Sequence, residues 1–236
     1  IDPTYLILIP AILISAWAQF KVSSTFNKYS TVRSINGYTG AQVARILLND
    51  AGLQEVEIQQ VPGRLSDHYD PRAKVLRLSS DVYGSTSVAS IGVAAHEVGH
   101  AIQDKESYSA LVFRNAIVPL VNFSSSLSWI LFFIGILLSY STLVTIGIIL
   151  FSVVVLFQLV TLPVEFNASS RALKLLEARG ILYDKEVDGA RNVLSAAALT
   201  YVAATLMAVL QLVRLIAISN SCLLYTSPSP RDRTRS

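Results

Sequence analysis

Four long apolar blocks constrain the fold of this chain more than any other feature of its sequence. Residues 117–138 and 142–162 carry no charge, and each block is long enough to cross the hydrocarbon core of a bilayer. Residues 5–20 form a shorter uncharged block, and residues 196–218 contain a single charge, Arg214, near the far end. A soluble chain of 236 residues has too little other sequence to bury all four. The blocks therefore predict a mainly α membrane protein.

The overall composition agrees with that prediction. Hydrophobic residues make up 52% of the chain and charged residues only 15%, whereas about 25% is usual for soluble domains. These values exclude a disordered chain and a nucleic-acid-binding module. The one cysteine, Cys222, also excludes a disulfide scaffold or a thiolate metal site.

The blocks divide the chain into membrane and polar regions. We predict transmembrane helix 1 in residues 1–20, a transmembrane hairpin of helices 2 and 3 in 116–162, and transmembrane helix 4 in 196–219. The polar regions 21–115 and 163–195 contain ten and five lysines and arginines. Because two crossings separate these regions, they lie on the same side of the membrane, and the positive-inside rule makes that side cytoplasmic.

The end of the chain differs in composition from everything before it. From Ser221 it reads SCLLYTSPSPRDRTRS, rich in serine, proline and arginine. We expect residues 220–236 to be a non-native tail, and no functional inference uses them.

The first polar region predicts a small α+β domain. Thr39 precedes an amphipathic helix, and alternating residues near 56–58 and 75–78 predict short strands. Residues 85–87 offer N-caps for a further helix over 88–102.

The second polar region predicts two helical pieces. One begins at Pro163, a residue type favoured in a first helical turn, and ends at Gly180. The other begins near Asp184 and can continue into the fourth apolar block.

The residues with the clearest chemistry lie on the predicted helix over 88–102, in the sequence HEVGH. His96 and His100 are four residues apart, so their imidazoles project from one helix face and can bind one metal ion. Glu97 lies beside them, within reach of a metal-bound water that it can deprotonate. This HExxH pattern on a helix is typical of zinc metalloproteases.

A catalytic zinc site needs a third protein ligand. The chain has only one other histidine, His68, so the third ligand is His68 or a carboxylate. Glu165 is the better candidate because it follows the third apolar block, on the side of the membrane that also carries His96 and His100. A carboxylate beside an apolar segment also needs a partner, which a metal ion supplies.

Several segments together resemble one known family. AAHEVGHAIQ, LPVEFNASSRALKLLEARGIL, GARNVLSAAALTYVAA and DHYDPRAKVLRLS are similar to the YugP-type membrane zinc metallopeptidases, and more distantly to the HtpX and CAAX-processing gluzincins. The resemblance covers residues 1 to about 217. It implies a zincin-like cytoplasmic domain, one zinc ion held by His96, His100 and Glu165, and Glu97 as the general base.

The chain departs from that family pattern at two positions. Asn167 stands where YugP-type relatives usually have aspartate, and Ser169 stands where the distant gluzincins have aspartate. Both positions are candidates for residues that orient a metal-binding histidine.

Three further residues are candidates for substrate binding. His68 and Tyr69 sit at the end of a predicted strand, where either side chain can donate a hydrogen bond to an oxyanion. A surface histidine beside a turn explains His68 equally well. Arg191 precedes the fourth apolar block, where topology alone already accounts for a basic residue.

These observations predict a membrane-anchored zinc endopeptidase that cleaves membrane or membrane-proximal proteins on the cytoplasmic side. Its partners are the lipid bilayer and a peptide or protein substrate, with no nucleic acid. One alternative is a zinc-binding scaffold or regulator without peptidase activity, in which a fourth protein ligand closes the site. The other alternative is an intramembrane site-2-type protease, which the polar residues 103–106 after the motif disfavour.

Overall fold

Long helices dominate the structure, a computed structural model that describes residues 3–226. A 3-10 turn over Pro3–Leu8 leads into the first of seven α-helices, and three short strands follow the second helix. The helices are α1 Ile9–Ser30, α2 Gly40–Asp50, α3 Ser80–Tyr83, α4 Val88–Lys105, α5 Ser109–Leu137, α6 Ser141–Ala178 and α7 Lys185–Thr226; the strands are β1 Glu57–Val61, β2 His68–Asp70 and β3 Val75–Ser79.

Four of the helical segments in the described residues are long and apolar enough to cross a membrane. They are Pro3–Ser30, Ser109–Leu137, Ser141–Ala178 and Lys185–Ser221. This confirms the predicted fold class of four long apolar helices with a small α+β part. The predicted tail, 220–236, lies outside the described residues from 227 onward.

The helix bounds differ from the sequence prediction in one respect that matters for function. We predict a helix that begins at Pro163, whereas α6 runs unbroken from Ser141 to Ala178 with Pro163 inside it. Proline removes one backbone donor but is tolerated in long apolar helices, where neighbouring groups satisfy the freed carbonyl. Glu165 therefore lies on the same helix as the third apolar block.

The local signals in the first polar region correspond to the observed elements. Thr39 accepts a hydrogen bond from the backbone of Gln42, whose side chain accepts one from the Thr39 backbone, so a capping box starts α2. Ser87 caps α4 by accepting from the Ser90 backbone. Strand β3 lies in the centre of the sheet, parallel to β1 and antiparallel to β2, with His68 opposite Arg77.

The chain forms two compact units. The unit that carries the HExxH helix comprises residues 16–113 and 160–202. Its core is built from buried side chains of α2, β3, α4, α6 and α7. Examples are Leu47 of α2, Leu76 of β3, Ile91 of α4 and Leu176 of α6. The second unit comprises the described parts of 1–15, 114–159 and 203–236, and its core is built around Phe132 and Leu215.

Helix α4 approaches its neighbours closely at two glycines. A Cβ built on Gly99 would lie 2.6 Å from the backbone oxygen of Ala168 in α6, a distance that real Cβ atoms do not show. A Cβ on Gly92 would lie 3.3 Å from the Cβ of Ala190 in α7, a tight but adjustable contact. The backbones of α4 and α6 can therefore meet at Gly99 only because the residue lacks a side chain.

We predict that Gly99→Ala pushes α4 away from α6 and destabilises the protein by about 1–3 kcal/mol, the usual cost of overpacking. Gly92→Ala is the matched control on the same helix. Its smaller steric conflict is offset by the helix propensity gained, about 0.5–1 kcal/mol. Thermal unfolding of the detergent-solubilised protein measures both variants. Equal melting temperatures for the two would contradict the close α4–α6 contact at Gly99.

Candidate metal centre

Helix α4 presents two histidines on one face. His96 and His100 are one turn apart, and their rings meet edge to face with centroids 4.7 Å apart. Their Nε2 atoms lie 3.1 Å from each other. Both side chains are mostly buried, with 14% and 13% of their surface exposed.

Helix α6 brings a carboxylate to the same point. Glu165 Oε2 lies 3.1 Å from His96 Nε2 and 3.4 Å from His100 Nε2, and the residue is only 4% exposed. Ligands about 2.0–2.1 Å from a tetrahedral zinc lie about 3.3 Å from one another, so these separations fit a zinc ion. His96, His100 and Glu165 form a group that could hold a metal ion, and two nitrogens with one carboxylate oxygen is a donor set that zinc accepts.

The electrostatics of the cluster favour positive charge at its centre. Burial acts to lower the pKa of His100, but the hydrogen bond to Glu165 and the negative charge of Glu97 outweigh it, so the pKa is raised. A cationic form of the site is thus stabilised by the surrounding carboxylates. A bound metal cation would benefit from the same charges.

Glu97 lies beside the cluster but is not part of it. Its carboxylate lines a cavity of about 360 Å³ together with His96 and Glu165. Burial raises the pKa of Glu97, and the nearby histidines only partly offset that effect. A buried carboxylate with a raised pKa, next to a candidate metal site and on a residue that lines a cavity, has the properties that a general base requires.

Comparison with known proteins identifies the family of the chain. The model of the family described as "Putative neutral zinc metallopeptidase" matches residues 4–220. The chain belongs to this family. It is also 52% identical over 210 residues to "Putative membrane protease YugP" of Bacillus subtilis (strain 168), an alignment that covers 89% of this chain and 93% of that protein. No solved structure matches the chain.

In this member of the zinc metallopeptidase family, the second nitrogen of each histidine also has a polar partner. His96 Nδ1 lies 3.0 Å from Ser169 Oγ of α6. His100 Nδ1 lies 2.9 Å from Gln103 Oε1, one turn further along α4. Asn167 Oδ1 accepts from Gln103 Nε2 at 2.9 Å. Asn167 and Ser169, the two predicted candidates for orienting a histidine, therefore lie around the histidines.

The other candidate residues lie elsewhere. His68 is exposed, and its ring contacts the Ser66 carbonyl oxygen and, at 3.4 Å, the Arg77 guanidinium. Tyr69 donates to Asp104, and burial and that carboxylate raise its pKa. Within the described chain, neither residue lines the cavity beside Glu97.

Arg191 of α7 lies in a neighbouring cavity of about 660 Å³. Its side chain is 56% exposed, and its Nε lies 3.9 Å from Asp188 Oδ1. This second cavity and the one beside Glu97 share Ser169, Leu194 and Ala198 as lining residues, so the two spaces are adjacent.

Two residues at the site were not identified by the sequence analysis. The sequence predicts Gln103 to be one of the polar residues 103–106 that follow the HExxH motif, whereas in the structure its side chain is completely buried. Its spacing of three from His100 was the available signal, because residues three apart share a helix face. Asp67 lines the cavity and accepts hydrogen bonds from the Ser79 backbone and hydroxyl. Burial raises its pKa, and no local pattern marks it.

Proposed function

We propose that this chain is a membrane zinc endopeptidase whose metal ion is held by His96, His100 and Glu165. The observation that supports this most strongly is the convergence of three ligand atoms, all within 4.8 Å of one another, beside a cavity lined by Glu97. Family membership supports the zinc and the peptidase activity. One zinc ion per chain follows from a single cluster of this kind in the described residues.

Glu97 acts as the general base of the proposed reaction. Zinc, when bound, supplies a Lewis acid that activates water and polarises the scissile carbonyl. Glu97 accepts the proton as the water attacks the peptide carbonyl, and then donates it to the leaving amine. His96, His100 and Glu165 fix the position of this chemistry, and the buried surroundings strengthen every charge interaction within it.

The substrate class follows from the walls of the cavity. Gln19 and Val22 belong to α1, and Ala197 and Tyr201 belong to α7, both of which are candidate membrane-spanning segments. Glu165 also lines the cavity and belongs to α6, a third candidate membrane-spanning segment. A cavity built largely from membrane helices favours a peptide that is itself part of, or next to, a membrane segment. The proposed substrates are therefore membrane proteins and membrane-proximal tails.

The adjacent cavity extends the proposed substrate site. It continues from Ser169 and Leu194 between α6 and α7 and carries the cationic side chains of Lys174 and Arg191. We place substrate residues further from the scissile bond in this space. In that arrangement Arg191 binds substrate and takes no part in bond cleavage.

The proposed location is the cell membrane, with the active site facing the cytoplasm. Region 21–115 contains ten lysines and arginines and region 163–195 contains five. Both regions flank candidate spans, and basic segments next to membrane spans are retained on the cytoplasmic side, which supports that orientation. The short turn over residues 138–140, between α5 and α6, then faces the opposite side.

We predict that Glu97→Gln lowers the rate of peptide cleavage by about 10²–10⁴-fold, the usual contribution of a general base, while zinc binding persists. Cleavage of β-casein by the detergent-solubilised full chain, with zinc content measured on the same sample, tests this. Glu57→Gln, in strand β1 and exposed, is the matched control. Full activity in Glu97→Gln would favour the alternative of a zinc-binding scaffold or regulator.

We predict that Glu165→Ala loses most of its zinc, because the two histidines alone leave a catalytic zinc one protein ligand short. Metal analysis of purified protein measures the ratio of zinc to chain, and Glu57→Ala serves as the control. Wild-type zinc content in Glu165→Ala would remove Glu165 from the ligand set.

The orientation predicts opposite labelling of two engineered cysteines in a Cys222→Ser background. Tyr140→Cys, in the exposed turn between α5 and α6, should react with a membrane-impermeant maleimide in intact cells. Arg72→Cys, in the turn between β2 and β3, should react only after the cells are opened. The reverse pattern would show that the active site faces outward.

A further inference from the structure

A network of four hydrogen-bonded side chains, from Glu106 through Arg171, Asn167 and Gln103, ends at His100, one of the two histidines proposed to bind the metal. Arg171 Nη1 donates to Glu106 Oε2 at 2.7 Å, and Arg171 Nε donates to Asn167 Oδ1, also at 2.7 Å. Gln103 Nε2 donates to the same Asn167 oxygen, and Gln103 Oε1 faces His100 Nδ1.

Arg171 fixes which groups of this network donate and which accept. A guanidinium can only donate, so the Asn167 atom that faces Arg171 is the amide oxygen. That oxygen can only accept, so the Gln103 atom that faces it is the amide nitrogen.

A backbone contact independently supports the same orientation of the Gln103 amide. Gln103 Nε2 also lies 2.8 Å from the carbonyl oxygen of Val164, which can only accept. Both hydrogens of the Gln103 amide are therefore used, and its oxygen is left to face His100. Because Gln103 is 0% exposed, water does not compete for these bonds.

We propose that Gln103, held by Asn167 and Arg171, is a positioning residue that keeps the proton of His100 on Nδ1. Since Gln103 Oε1 accepts, His100 Nδ1 must donate, and the neutral ring then carries its lone pair on Nε2. Nε2 is the atom that faces Glu165 and His96. The network thus presents His100 in the one neutral form that can bind a metal at this point, an inference that rests on the proposed zinc site.

The network also shows what the side chain at position 167 must supply, which is an oxygen that accepts two hydrogen bonds. The side-chain oxygen of Asn167 accepts from both Gln103 and Arg171. An aspartate supplies an equivalent oxygen. Asparagine and aspartate are therefore interchangeable here for holding Gln103, whereas an apolar residue of similar size is not.

The test is the zinc dissociation constant of the full chain in detergent, measured by competition with a chromophoric chelator. Gln103→Met and Asn167→Leu should each weaken zinc binding about 10–100-fold, the usual effect of removing an orienting partner. Asn167→Asp should retain the wild-type affinity. Asn192→Leu is the matched control, because Asn192 donates one hydrogen bond to the Tyr29 hydroxyl and lines neither cavity discussed above. It should also bind zinc like the wild type.

Each outcome of this experiment is informative. Unchanged affinity in Gln103→Met, or equal weakening in Asn167→Leu and Asn167→Asp, would overturn the proposal. Melting of the zinc-free variants distinguishes a lost orienting bond from a lost fold, and if Gln103→Met does not fold, the comparison of the two Asn167 variants decides. A wild-type chain that binds no zinc would instead refute the proposed metal site, and one that binds zinc but cleaves nothing would refute only the peptidase activity.

Discussion

The structure depends on bringing three electron-pair donors together where they would otherwise repel. His96 and His100 from α4 and Glu165 from α6 place their ligand atoms 3.1–3.4 Å apart in a mostly buried site. A buried carboxylate is costly unless it is paired, so this arrangement requires a proton or a cation at its centre. The close contact between Gly99 and Ala168 lets the two helices approach far enough to form it.

Much of the site was predictable because its signals are local. The spacing of His96 and His100 fixes their common face on any helix, and Thr39 and Ser87 mark helix starts through bonds within four residues. Glu165 could be predicted because two predicted membrane crossings between the polar regions imply the same side for Glu165 and α4, although a count of crossings gives no distance.

The parts that sequence reasoning missed depend on contacts distant in the chain. From the sequence, Gln103 is a polar residue near a helix end. Its burial results from packing against Val164 and Asn167 of α6. Pro163 reads as a helix start because its local preference is strong, yet the apolar helix continues through it. His68 remained ambiguous for the same reason, since the strand pairing that places it beside Arg77 spans nine residues.

The two histidines are held in different ways, and this has a consequence for how the site assembles. A single turn of α6 contacts both nitrogens of His96, with Glu165 at Nε2 and Ser169 at Nδ1. His100 instead has its Nδ1 held by Gln103 of its own helix. A shift of α6 therefore removes both of its contacts with His96, from Glu165 and Ser169, together with the α6 groups that hold Gln103 against His100. Because α6 also carries the third apolar block, the three candidate ligands come together only when that long helix packs on α4, so the geometry of the cluster depends on correct packing of a candidate membrane-spanning helix.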